Sequence, residues 1–303
     1  NPGNVSLALA TVLISELMGI PVINNNHDFY WEGGNREIDI VTKNLKPGPR
    51  DHFFLNSHIG EVFSLIEVLY AWESRSWLQV NINKAQSRKL IEIYGHNPAN
   101  VTEIGTAIDT EYYSIISKRK LLDGFKQLFN IFSKGKNYIN PPVKPVPNHI
   151  ILVRKDNPLP IFIGGSRALL LNNFINDNFI FLQPTRIISR KKIEVNFTLI
   201  KKLFANKTFS KSFDNNKRLK LTLLITGPIA TGHINYAEKL LCLFDKMLSE
   251  VDSSYRKRIF LGFIFSEFDK PSFKQRYQEP LSVPELYNIA SLILLPSEIE
   301  GRG

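Results

Sequence analysis

The feature that most constrains this chain is the regular alternation of short apolar runs and longer amphipathic stretches in its second half. Phe179–Gln183, Leu219–Thr226, Arg258–Phe265 and Leu292–Leu295 read as strands. Glu194–Ala205, Tyr236–Glu250 and Val283–Ser291 read as the helices between them. Strand-helix alternation with short turns builds a parallel, doubly wound sheet. The first part of the chain carries the same rhythm. Ser6–Met18 reads as a helix, Gly19 as its stop and Ile20–Asn24 as a short strand. Phe63–Tyr70, Trp77–Ile82 and Ala85–Tyr94 supply further strand and helix candidates, and Val101–Thr106 another short strand.

A chain of 303 residues exceeds the usual size of one compact core, so two α/β domains are expected. The expected division is 1–116, a connector or insertion over 117–177, and 178–303. The connector holds a basic helix, Lys118 to Lys136, and then the proline-rich run Pro141 to Pro147, which must be extended. That helix has Leu121, Leu122, Phe125, Leu128, Phe129 and Phe132 on one broad face, ringed by lysines and Arg119. The pattern suits either a helix packed on its own domain or one lying on a membrane surface.

Charge narrows the partners. There are 38 Lys+Arg against 28 Asp+Glu, a net +10, which suits phosphate-bearing ligands, nucleic acid or an anionic membrane. Nucleic acid is the weakest of the three, because no aromatic-basic RNA motif or helix-turn-helix pattern occurs. A single cysteine, Cys242, excludes an internal disulfide and fits a reducing, cytoplasmic setting. No stretch of about 18 apolar residues is present. Both ends read as interrupted. The chain opens at Asn1 without Met and stops at Glu300-Gly301-Arg302-Gly303, directly after a strand.

Three segments can carry chemistry. Gln183-Pro184-Thr185-Arg186-Ile187-Ile188-Ser189-Arg190-Lys191-Lys192 runs from a strand through a loop with four cations to a helix start. Cations and free backbone N–H groups beside a helix start make a diphosphate site, and a solvated basic loop is the plain alternative. His27-Asp28 follows a strand, where a histidine can meet a substrate hydroxyl or simply serve the fold. The adjacent Phe29, Tyr30 and Trp31 can stack on a sugar or belong to the core. Pro296-Ser297-Glu298-Ile299-Glu300-Gly301-Arg302-Gly303 lies beyond the last strand. Its glycines admit a ligand to the backbone and its carboxylates can bind hydroxyls, or it is an acidic turn.

Taken in order, these segments resemble retaining GT-B glycosyltransferases of the sucrose-synthase-like and phosphatidylinositol-mannosyltransferase-like group. The matching stretches are Asn1-Pro2, His27 to Glu32, Ile104 to Thr110, Arg186, Arg190-Lys191 and Pro296-Ser297-x-x-Glu300-Gly301-x-Gly303. Residues 117–177 fit poorly. The resemblance implies two Rossmann-like domains facing a cleft, with 1–116 on the acceptor side and 178–303 binding the nucleotide-sugar donor. It implies a retaining hexosyltransferase acting on a sugar, glycan or glycolipid acceptor. Arg186 and Lys191 would hold the donor diphosphate, with Arg190 beside them, and His27 would contact the donor sugar near the reacting carbon. Glu300 would be the first of two motif glutamates, Gly301 and Gly303 would lie at the sugar–phosphate, and Gly227 would line the nucleotide cleft. Asp28, Tyr30 and Trp31 would stand on the acceptor side. No Asp-x-Asp motif occurs and the family scheme needs no metal or cofactor, the nucleotide sugar being the substrate. Lys191-Lys192 replaces the family's frequent Lys-Gly. A glycan or disaccharide phosphorylase on the same fold, and a non-catalytic phosphate- or nucleic-acid-binding paralogue, are the alternatives.

Overall fold

The structure, a computed structural model, describes residues 5–27, 29, 41–46, 65, 68–69, 71–139, 160–165, 168–230, 232–263 and 281–297. The proline-rich run and most of segment 63–70 lie outside them. The chain divides into two compact units, one carrying Asn1–Ile108 and the other Asp109–Glu298.

In the first unit, α1 (Val5–Met18) leads into β1 (Val22–Asn26), followed by β2 (Trp77–Asn81), α2 (Lys84–Glu92) and β3 (Val101–Glu103). The three strands are parallel in the order β1-β2-β3. Asn83 caps α2, its side chain accepting from Gln86 N at 2.9 Å, as a short polar side chain at a helix start should. The small apolar cluster is Val12, Leu69 and Trp77, and the Trp77 indole donates to Ser15 Oγ. One sheet face is polar instead. Asn24 stands opposite Gln79 and Asn26 opposite Asn81 in register, and Gln79 and Asn81 are fully buried. Asn24 and Asn26 both donate to Gln79 Oε1, Asn26 also to Asn81 Oδ1, and Asn81 in turn to Ser87 Oγ. Buried amides are tolerated where each finds a partner, and this ladder supplies them.

The second unit is built on a five-stranded sheet in the order β10-β7-β8-β9-β5. Its elements in chain order are α3 (Lys118–Ser133), β4 (Tyr138–Ile139), β5 (Ile161–Gly164), β6 (Leu169–Leu170), α4 (Leu171–Asn176) and β7 (Asn178–Gln183). Then come α5 (Glu194–Ala205), α6 (Lys207–Asn215), β8 (Lys220–Ile225), α7 (Ile234–Glu250), α8 (Ser253–Arg256), β9 (Ile259–Phe263), α9 (Val283–Ile289) and β10 (Leu292–Ile293). All neighbours are parallel except β5, which runs antiparallel along the edge of β9. β4 and β6 form a separate antiparallel pair.

The strands are apolar on both faces because both faces are covered. Phe181, Leu221, Leu223, Ile225, Ile259, Leu261 and Phe263 point into one core with α5, α6 and α7. Ile180, Leu182 and Leu224 point into the opposite core, with α3, α4 and α9. This is the doubly wound α/β arrangement expected of the alternation. On the second face α3 comes close because Gly262 has no side chain. A Cβ there would lie 2.7 Å from both Leu224 Cδ2 and Phe132 Cζ.

That contact also shows α3 packed on its own unit. Leu128, Phe129 and Phe132 are buried in the unit's own core, with Leu121 and Phe125 packed against it. What α3 leaves exposed is polar: Lys118, Arg119, Lys120, Lys126 and Asn130. Among the described residues no helix is long and apolar enough to cross a membrane.

Candidate functional site

The sheet order places the site. From β7 the chain steps outward to β8 and β9 through helices on one face. It then returns by α9 on the other face to lay β10 along the opposite side of β7. The winding reverses between β7 and β10, and beyond the carboxyl ends of such a pair the flanking loops part to leave a crevice for ligands. β10 is in register with β7 through Leu292↔Phe181 and Ile293↔Leu182, and Leu294 N continues the ladder onto Leu182 O at 2.8 Å. The loop after Gln183 and the segment through Pro296-Ser297 therefore leave the sheet side by side.

The cationic loop is a built structure, not a solvated run. Ile187 and Ile193, both fully buried, anchor its middle and its end. Ile187 N donates to Pro228 O at 2.8 Å, and Ala230 N donates back to Ile187 O at 3.2 Å. Ser189–Lys191 form a 3-10 turn. Around these anchors Arg186 and Arg190 are exposed, and Lys191 and Lys192 are half-buried. Gly227, at φ 80°, closes the end of β8 against the same loop, its N–H reaching Thr185 O at 3.2 Å. Arg186, Arg190, Lys191 and Gly227 are thus gathered at the carboxyl ends of β7 and β8. Just beyond β10, the buried Ser297 hydroxyl has no hydrogen-bond partner among the described residues.

The expectation of free amides at the start of α5 needs correction. Ile193 N donates to the Tyr236 hydroxyl at 3.0 Å, and the Val195 and Asn196 amides are taken by Lys192 O and Ile193 O. The Tyr236 hydroxyl donates to the Glu194 carboxylate. Burial first, and that carboxylate second, hold its pKa well above the usual phenol value. The dipole of α5 is thereby answered by Glu194 from its own first turn. An anion here must be held chiefly by side-chain cations.

Solved structures share this architecture. The chain is similar to HepE from Anabaena solved with UDP, at TM-score 0.52 and 12% identity over 97% of this chain and 52% of that one. The same protein with UDP-glucose gives 0.47 at 10% identity over 95% and 50%. A glycosyltransferase from Rickettsia africae gives 0.41 at 14% identity over 98% and 57%. The likeness is one of fold. The chain spans about half the length of the solved structures it matches. No protein-family model and no curated protein matches the sequence.

His27 lies in the first unit, exposed directly after β1, with its backbone carbonyl accepting from Gln86 Nε2 at 3.4 Å. Phe29 beside it is buried, so of the aromatic trio it takes the core role. Asp28, Tyr30, Trp31, Glu300, Gly301 and Gly303 lie outside the described residues. Sequence reasoning missed the polar groups behind the loop, Gln183, Asn196 and Tyr236. The available signals were an amide closing an apolar run and an asparagine on the apolar face of α5.

The departure at Lys192 has a backbone meaning. It sits at φ 45°, ψ 45°, in the left-handed region where a side chain is strained and glycine is not. Lys192→Gly is expected to stabilise this unit by about 0.5–1 kcal/mol, part of the relief being offset by glycine's greater freedom when unfolded. The readout is a rise of roughly 1–4 °C in the far-UV circular dichroism melt, and a fall would show that the lysine's contacts outweigh its strain.

Proposed function

We propose that this chain acts as a retaining glycosyltransferase that takes a hexose from a nucleoside-diphosphate sugar. The observation that carries the reading is the anchored loop of Arg186, Arg190 and Lys191 at the winding reversal. HepE, whose fold this chain shares, was solved with UDP, which suits the same choice of ligand.

In the reaction, the bond between the sugar's anomeric carbon and the diphosphate oxygen breaks, and a bond to the acceptor hydroxyl oxygen forms. The acceptor's proton passes to the departing diphosphate, which keeps the bonding electron pair. Charge grows on the diphosphate as the bond opens, so preplaced cations stabilise the transition state more than the ground state. The scheme asks for no pair of catalytic carboxylates. The acceptor is a sugar, glycan or glycolipid hydroxyl.

The test is a thermal-shift screen of the full chain against UDP-, GDP- and ADP-sugars, with inorganic phosphate alongside. One nucleotide class is expected to raise the melting temperature, as any ligand specific to the folded state does. Stabilisation by inorganic phosphate with no response to any nucleotide sugar would favour a phosphorylase and sink this reading.

A further inference from the structure

The geometry points to Gln183 as a positioning residue that sets Lys191 for the donor diphosphate, an inference that rests on the function proposed above. Gln183 ends β7 and is fully buried. Its Nε2 donates to the Lys191 carbonyl at 3.2 Å and to Thr185 Oγ1 at 3.1 Å. Its Oε1 accepts from Asn196 Nδ2 on α5, and Asn196 is itself buried. Its backbone carbonyl accepts from Thr185 N and from Thr226 N at the end of β8.

One side chain therefore ties three things together: the last residue of β7, the cationic turn eight residues later, and the first turn of α5. An apolar side chain could fill the space but could not hold the turn. The Lys191 N–H donates to Ile188 O at 3.0 Å, a bond within the turn itself. Gln183 links the turn directly to the end of β7. A buried amide with both ends satisfied is rigid, and rigidity behind a ligand-binding cation is what preorganisation requires. Gln183 itself, having no solvent-facing surface, acts through Lys191.

The experiment measures binding of UDP, GDP and ADP, each against its parent nucleoside, so that the diphosphate's share of affinity is read as a ratio. Gln183→Met is expected to lower that ratio about tenfold, as loss of a buried partner does, while nucleoside binding stays unchanged. In a Lys191→Ala background the same substitution is expected to change the ratio less than twofold, because its effect runs through Lys191. Should the Met variant fail to fold, Gln183→Glu keeps the acceptor for Asn196 and loses the donor to Lys191. It is expected to show the same dependence on Lys191. An equal effect in both backgrounds, or none in the parent chain, would overturn the inference while leaving the diphosphate site standing. A parent chain that binds no diphosphate more tightly than its nucleoside would overturn the site, and Gln183's role with it.

Discussion

Replacing Arg186 and Lys191 together with alanine is expected to weaken nucleoside-diphosphate binding by two to three orders of magnitude. A hydrogen bond to a charged group is worth about 1.5–3 kcal/mol, so each cation accounts for roughly tenfold to a hundredfold. The two share one ligand, so their losses will not simply add. Geometry makes the expectation strong. With the α5 amides of Ile193, Val195 and Asn196 already engaged, they cannot take over when the side chains are removed. Arg186 presents a planar fork suited to two phosphate oxygens and Lys191 a point charge, so Arg186→Lys should recover only part of the loss. Calorimetric titration with UDP, GDP and ADP in low and high salt reads the effect. The parent chain's affinity should fall with salt and the double variant's should fall less steeply, since exposed charges are screened and two of the loop's four cations are gone. Normal binding by the double variant would place the diphosphate somewhere else in the molecule.

Much of this site was legible in the sequence, for a physical reason. A strand buried on both faces must be a continuous apolar run, and Phe179–Gln183 and Leu219–Thr226 announce themselves in that way; β7 and β8 match them to within a residue. The cation loop follows directly from where such a run stops. The order β10-β7-β8-β9 was not legible, because the sequence shows that strands are parallel without saying which lie side by side. Nor was the fate of the helix-start amides. Capture of the Ile193 amide depends on Tyr236, 43 residues further along the chain, and no local pattern reports a contact at that distance. The α6 helix, Lys207–Asn215, escaped notice for another reason. It is a nine-residue, mostly polar segment capped by Asn206 and held mainly by Phe213, with too few apolar residues to stand out.

The largest effect on stability is expected at Arg258, a residue that in the sequence is one more cation in a basic chain. In the structure it is 6% exposed at the start of β9, and its Nη1 donates to Phe213 O at 2.6 Å and Asn216 O at 3.1 Å. It thereby satisfies carbonyls at the end of α6, which a helix terminus otherwise leaves open. The guanidinium also lies 5.0 Å from the Phe213 ring centroid and 5.5 Å from that of Tyr255. Arg258→Ala removes the charged donor, strands a buried carbonyl and opens a cavity between two aromatic rings. Together these are expected to cost about 3–5 kcal/mol. Arg258→Lys, which keeps the charge and one donor but not the fork, should cost about 1–2 kcal/mol. The chain offers its own readout. Its three tryptophans, Trp31, Trp72 and Trp77, all lie in the unit carrying Asn1–Ile108. Tryptophan fluorescence therefore follows that unit, while the far-UV signal is weighted toward the larger, helix-rich one. In urea, Arg258→Ala should lower the midpoint of the far-UV transition by about 1–3 M and leave the fluorescence midpoint in place. Unchanged midpoints by both probes would mean that the α6 terminus is satisfied without Arg258. A shift of both together would mean that the two units unfold as one, so that damage at β9 is felt across the whole chain.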